Sequence, residues 1–366
     1  MIIKNSPDPV DHTEQATGKI KGRGAAENPP NRFENWARIP ELSSPEDGAS
    51  SPEKTAFFED ASRSIIAAND SPDLAFSASV NPYRGCEHGC IYCYARPTHE
   101  YIGLSSGLDF ETKIFVKKDA ARLLRKELSS VSWRPQTVVM SGVTDPYQPV
   151  ERRLKITRQC LQALAEFRNP VAMITKSALI TRDSDIFQEL NRFRAICIYI
   201  SVTTLDHDLA GIMEPRASRP PERLEAIEHL SKQGIPVGIL AAPVIPGLND
   251  HEIPQILKQC AGYGAQFAGY VVLRLPFAVK SLFETWLTQH FPDKKEKVLS
   301  RIRSVRDGKL NDPNFGSRMR GAGIFADQLQ GLFSVFCRKA GLNRNSPELS
   351  VASFRKVSKD QFMLFD

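Results

Sequence analysis

The sequence predicts an α/β protein: a partial, TIM-like barrel of six β/α units, with an irregular N-terminal arm and a helical, basic C-terminal extension. Three observations carry that expectation. Short apolar runs rich in β-branched residues recur from residue 75 onward. Segments with helical spacing lie between most of them. Strands alternating with helices give a parallel sheet with helices outside. Six such units within residues 76–275 are too few for a closed eight-fold barrel, so an open one is expected.

Taken in order, residues 1–75 are rich in Pro, Ser, Asn, Glu and Asp, with weak apolar periodicity. They read as an extended or partly disordered arm. A second reading has the arm wrap on the core through Phe33, Trp36, Ile39 and Leu42. The strand runs are 75–80, 137–140, 171–175, 195–202, 236–241 and 269–273. Helical patterns occupy 118–129, 156–167, 182–192, 221–233 and 253–260, with Leu224, Ile227 and Leu230 on one face of the fourth. Residues 276–342 form the extension, with a helix expected over 324–339. Residues 343–366 form a polar, irregular tail.

Composition narrows the class. No run of eighteen apolar residues exists, so a transmembrane helix is not expected. Residues 1–23 lack the apolar centre of a secretory signal, and a cytoplasmic protein is expected. There are seven cysteines, an odd number, and three fall within residues 86–93. That pattern suits a metal site better than a disulfide framework. Cys160, Cys197, Cys260 and Cys337 read as lone thiols, Cys197 as a small buried apolar residue. The net charge of +6 permits a nucleic-acid partner without requiring one.

The chemistry concentrates in Asn81-Pro82-Tyr83-Arg84-Gly85-Cys86-Glu87-His88-Gly89-Cys90-Ile91-Tyr92-Cys93-Tyr94. Cys86, Cys90 and Cys93 have C-x3-C-x2-C spacing directly after the first strand. Iron–sulfur cubanes take thiolate ligands, usually four. Three thiolates leave one iron open to a small chelating ligand. Gly85 and Gly89 let a short loop bend around a bulky group. Tyr92 offers an aromatic face for an adenine. The rival is zinc, completed by His88 or His99, in a zinc-stabilised nucleic-acid-binding protein without catalysis.

This motif after the first strand of a six-unit barrel resembles the radical S-adenosylmethionine superfamily over about residues 76–275. Two further segments, 141–151 (Ser-Gly-Val-Thr-Asp-Pro-Tyr-Gln-Pro-Val-Glu) and 242–250 (Ala-Pro-Val-Ile-Pro-Gly-Leu-Asn-Asp), are similar to one branch of it. That branch holds the spore photoproduct lyases and "DNA repair photolyase"-like proteins, including a bacterial subgroup. The resemblance implies a [4Fe–4S] cluster, S-adenosylmethionine as cofactor, and radical chemistry of lyase or oxidoreductase type. It also implies a reductant such as flavodoxin or ferredoxin.

Barrel chemistry sits at the C-terminal ends of the strands. By resemblance, Ser141, Thr144 or Asp145 would bind the amino group of S-adenosylmethionine; the same residues also read as a turn. Lys176 would meet its carboxylate or ribose. Ser201 or Thr203 would bond the ribose. Arg216 would clamp a carboxylate, or simply pair with Glu214 on the surface. Val244 and Ile245 would flank the adenine, and Asn249-Asp250 would cap the next helix. One departure matters. The lyases carry a hydrogen-donating cysteine after the second strand, where this chain has Met140-Ser141-Gly142. That argues against spore photoproduct repair. The absence of a second cysteine cluster in the sequence weakens a peptide-maturation reading.

Two features hint at nucleic acid. Residues 294–320 carry nine Lys or Arg against three acidic residues, which suits a phosphate backbone or a solvated helix face. Gln361-Phe362-Met363-Leu364-Phe365 resembles the Q-x-x-L-F peptide by which bacterial DNA-processing proteins dock on the sliding clamp; packing back on the domain is the alternative.

Overall fold

The computed structural model describes residues 18–33, 54–74, 76–344 and 347–357. Short apolar segments become strands because helices cover one face of the sheet, while Val139, Ala172, Cys197 and Phe267 pack together on the other. The strands are β1 (Ala56–Glu59), β2 (Ile66–Ala68), β3 (Ala78–Val80), β4 (Tyr83–Arg84), β5 (Lys113–Val116) and β6 (Val138–Met140), then β7 (Val171–Thr175), β8 (Ile196–Ser201), β9 (Val237–Val244) and β10 (Phe267–Val272). The main sheet has the order β10-β9-β8-β7-β6-β3-β2. Every pair from β3 to β10 in it is parallel, and only edge strand β2 runs antiparallel. The sheet is open, with six parallel strands as the sequence predicts.

Near-continuous apolar burial along β7 and β8 is the mark of a parallel sheet covered on both faces. Helix Ile156–Phe167 lies on one face and buries Ile156, Cys160, Leu161, Leu164 and Phe167, spaced three and four apart. Helix Pro220–Lys232 begins on Pro220, whose fixed φ suits the first turn. The Glu222 carboxylate there accepts from the Arg219 backbone N–H at 2.8 Å. Past the sheet, Val279–His290 buries Leu282, Phe283, Trp286 and Leu287 in a second apolar cluster with Ile91, Met213 and Ile245. Helix Ile324–Ala340 folds back so that Phe333 meets Tyr270, ring centroids 4.6 Å apart.

The structure adds elements that the sequence pattern hides. Residues 56–59 and 66–68, read as part of an irregular arm, are strands. β1, β5 and β4 form a separate three-stranded sheet. β1 has all four side chains exposed and β4 is two residues long, so neither shows alternation. The anchors Trp36, Ile39 and Leu42, and the tail 361–365, lie outside the described residues; Phe33 is exposed. Cys160, Cys197, Cys260 and Cys337 are buried free thiols. Members of the basic stretch are engaged within the fold: Arg306 is buried, Arg318 pairs with Asp73, and Arg301 lies 3.5 Å from Asp250. Among the described residues no helix is long and apolar enough to cross a membrane.

Candidate metal centre

The cysteine loop is fastened before it reaches the first thiol. Tyr83 and Arg84 pair with Val116 and Phe115, and the Cys86 N–H donates to the Phe110 carbonyl at 2.9 Å. Gly85 has φ of 78°, and a Cβ there would lie 2.9 Å from the Phe110 oxygen and 2.8 Å from His99 Cε1. Only glycine fits that turn. Cys86 and Cys90 are buried and Cys93 is half-buried. Burial pushes the Cys86 thiol up, and nearby Asp145, Cys90 and Cys93 push the same way. Burial and Glu214 carry Cys90 up to about 12. Burial also raises Cys93, against the pull of Arg96 and Lys176. Such thiols shed their protons only when a metal supplies positive charge.

A second layer holds the loop. Arg96 is fully buried. Its Nε donates to the Cys90 carbonyl at 3.0 Å, Nη1 to Gly107 O at 2.9 Å, and Nη2 to Gly89 O at 3.3 Å and Glu111 Oε1 at 2.5 Å. The Glu111 carboxylate also accepts from the backbone of residues 24 and 25, at 3.0 and 2.8 Å. Segment 18–33 thus lies across the loop as a strap. A Cβ on Gly24 would fall 1.8 Å from the Gly89 oxygen, so the two backbones touch.

The other side of the loop is pinned by residues near the second strand of the barrel. Thr144 Oγ1 donates to the Gly85 carbonyl at 2.6 Å, and Gln148 Nε2 bonds Thr144 Oγ1 at 3.0 Å. Glu87 accepts from Val150 N at 2.7 Å and from Arg216 Nη2 at 2.9 Å. Asp145 accepts from Thr175 Oγ1 at 2.6 Å and from Lys176 N at 2.8 Å, with His88 Nδ1 at 3.3 Å. Burial alone would raise the Asp145 carboxyl; these partners bring it down to about 2.

At the mouth the buried Glu214 gathers Tyr92 Oη, Arg223 Nη2 and Thr203 Oγ1, the last at 2.6 Å. Burial opposes its charge, but Arg223, Lys176 and the two hydroxyls bring its pKa to about 2. Arg223 Nη1 reaches the Ser201 carbonyl at 2.9 Å. Lys176 Nζ stands 5.7 Å from the Tyr92 ring centroid and acts electrostatically on Cys90, Cys93 and Glu214. Ser141 has φ of 153°, and its hydroxyl donates to Thr144 O at 3.3 Å.

The sequence-derived candidates therefore divide. Cys86, Cys90, Cys93, Tyr92, Ser141, Thr144, Lys176 and Ser201 converge on one mouth, at the C-terminal ends of the strands. Arg216 does not act as a free carboxylate clamp: it is bonded to Glu87 and, at 3.1 Å, to Thr55. A surface Glu214–Arg216 pair does not exist, because Glu214 is buried against Arg223. Asn249 makes no side-chain cap. It accepts from Ile245 N at 2.6 Å and donates to Thr203 O at 2.8 Å, tying the loops after β8 and β9 together. Val244 and Ile245 are buried in the two apolar clusters. Sequence reasoning missed Arg96, Glu111 and Arg223; its second reading had the arm wrap on the core, but not through the backbone of residues 24 and 25. Arg96 carries one signal, standing three residues past Cys93 where its side chain can turn back on the loop.

The donor set discriminates between metals. Among the described residues no group of three or more His, Cys, Asp or Glu side chains is arranged to hold a single ion. His88, whose Nδ1 lies 3.3 Å from Asp145, and His99, whose Nε2 lies 2.9 Å from the Lys113 carbonyl, belong to no such group with the cysteines among the described residues. A cubane asks for something else: one thiolate on each of three irons, around a shared volume. Three neighbouring thiols in one loop, two buried and one half-buried, that sense one another's charge fit that requirement.

Residues 80–260 match the family model described as the radical SAM superfamily. An uncharacterised protein of Mycobacterium tuberculosis is 32% identical over 292 residues, covering 79% of this chain and 83% of that one. A radical SAM Nα-GlyT isomerase of Pseudomonas phage M6 is 24% identical over 53% of this chain and 38% of its own. Among solved structures, a double mutant of spore photoproduct lyase with bound AdoMet and dinucleoside spore photoproduct aligns with a TM-score of 0.54 at 15% identity, covering 78% of this chain and 80% of that one.

Arg96→Lys keeps the charge and loses most of the fork's bonds. It is expected to cut iron retained after anaerobic reconstitution by more than half, as read by iron analysis. A pH effect follows from His99. Burial pushes its imidazole down to about 4, against about 6.5 unfolded. The unfolded chain then binds the proton more readily, so stability is lost as pH falls from about 6.5 toward 4, by about 3 kcal/mol. Urea unfolding of the metal-free protein at several pH values should show this slope, and His99→Leu should flatten it.

Proposed function

The chain belongs to the radical SAM superfamily, and on that premise we propose that Cys86, Cys90 and Cys93 hold a [4Fe–4S] cluster whose open iron takes S-adenosylmethionine. As a radical SAM enzyme, it would use residues 76–275 as its catalytic core. The observation that carries the reading is the set of three thiols, two buried and one half-buried, in a loop clamped on both sides, with no fourth protein ligand among the described residues. When bound, the reduced cluster and its cofactor supply a 5′-deoxyadenosyl radical by cleaving a C–S bond of S-adenosylmethionine, releasing methionine.

The protein's own residues would orient and shield that chemistry. Arg96 and Thr144 hold the loop carbonyls, so the thiols keep their spacing. Glu214 draws the Tyr92 hydroxyl and fixes the ring at the mouth. Lys176 is the mouth cation with no hydrogen bond from its ammonium group among those described, which suits the methionine carboxylate. By the family resemblance, Ser141 would meet the amino group and Ser201 the ribose. Apolar residues Ile245 and Leu248 exclude water beneath. The external electron would come from a flavodoxin or ferredoxin. A nucleic-acid substrate accords with the net charge of +6. The lack of a cysteine at Met140-Ser141-Gly142 separates the reaction from spore photoproduct repair.

The test is anaerobic reconstitution, dithionite reduction and assay of 5′-deoxyadenosine. Wild type should contain about four irons per chain and form deoxyadenosine, and Cys90→Ala should form none. Zinc near one per chain, with no iron uptake, would defeat the reading. Lys176→Met should weaken S-adenosylmethionine binding about 10- to 100-fold, the worth of one bond to a charged group, with iron content unchanged.

A further inference from the structure

We infer that aromatic and arginine side chains along the rim of the mouth form a platform for a single-stranded segment of nucleic acid. This deepens the proposed function and rests on it for the location of the chemistry. Five exposed rings mark the rim: Phe33 at 55% exposure, Tyr94 at 50%, Tyr101 at 70%, Phe277 at 56% and Phe315 at 58%. Each is paired with a guanidinium. Arg32 lies 3.7 Å from the Phe277 centroid, 4.7 Å from Phe33 and 5.5 Å from Tyr101. Arg274 stands 5.2 Å from Tyr94, and Arg318 stands 4.3 Å from Phe315.

These pairs are continuous in space because two chain segments run side by side. Tyr94 and Tyr101 follow the third cysteine. Arg274 and Phe277 follow β10. They meet at Tyr94 against Arg274 and again at Arg32, wedged between Tyr101 and Phe277. Arg274 Nη1 lies 3.6 Å from Met319 Sδ, beside Arg318, which carries the rim on to Phe315. At the inner end, Tyr94 adjoins Cys93 in the chain and donates to the Gly142 carbonyl at 2.8 Å. A base stacked on Tyr94 would therefore face the mouth.

Charge selects the occupant. Arg32 is paired with Glu100 and Arg318 with Asp73. Arg274 has no carboxylate within ion-pair distance among the described residues, and its Nε is buried without a hydrogen bond. A cation kept beside another cation and left short of an acceptor asks for an anion. Flat rings alternating with guanidinium groups match a strand that alternates bases with phosphates, since every base has a face to stack and every step one negative charge. A polypeptide offers neither in regular succession.

The experiment is fluorescence anisotropy with a labelled single-stranded DNA 12-mer of mixed sequence, titrated with the reconstituted full chain at several salt concentrations. Wild type should bind with a salt-dependent Kd. Tyr101→Ala with Phe277→Ala should weaken binding at least about fivefold, while Tyr101→Phe, which keeps the ring, should not. Arg274→Gln should reduce the slope of log K against log salt by about 0.7, one phosphate contact. Thermal melting of each variant serves as the folding control. No binding by wild type, ring removal without effect in a folded variant, equal binding of a blunt duplex, or equal competition by poly-glutamate of matched charge would each overturn the platform. The readout needs no turnover. Oligonucleotide binding without deoxyadenosine formation would defeat the reaction and leave the platform standing; the reverse result would defeat the platform alone.

Discussion

The buried contact between Arg96 and Glu111 is the constraint on which the rest of the site depends. Both side chains are fully out of water. Charges so placed are tolerated only when nearly every donor and acceptor is satisfied. Arg96 reaches that state by bonding carbonyls of the cysteine loop and of the turn at residues 106–107. Glu111 reaches it by accepting backbone N–H groups from the strap. Satisfying one ion pair therefore fixes three separate pieces of chain around the thiols. Breaking either partner would leave a buried charge and free all three.

The same economy recurs at Glu214. Its carboxylate serves Tyr92 from the cysteine loop, Thr203 after β8 and Arg223 from helix Pro220–Lys232. Arg216 and Glu87 join the segment after helix His207–Met213 to the opposite flank of the loop. The barrel strands position the loops, but buried charge pairs set their registry. An open sheet has no closure of its own to do this.

Much of the fold was legible because its signals are local. Six apolar runs and their intervening helical periods appear in the sequence nearly at their structural bounds. Cys86, Cys90 and Cys93 were legible because ligand spacing within one loop is itself a local pattern. What stayed hidden is long-range. Nothing near Glu111 announces that it will meet residues 24 and 25, or that Glu214 will prefer Arg223 over Arg216 two residues away. Asn249 looked like a cap because Asn before a helix usually is one; its amide instead finds one carbonyl in the loop after β8 and one at the end of β9. β1 and β4 stayed hidden because strands that short, exposed or two residues long, carry no period.

The backbone contact between Gly24 and Gly89 has a kinetic meaning. The strap leaves the ribosome well before its acceptor, Glu111, which lies 87 residues further on. Contacts of that separation form late, after local helices and hairpins, because loop closure must precede them. The strap's seating thus closes a sequence of events rather than beginning one. During synthesis the cysteine loop exists for a time with its outer face bare. For that interval the three thiols are more open to solvent than in the finished fold.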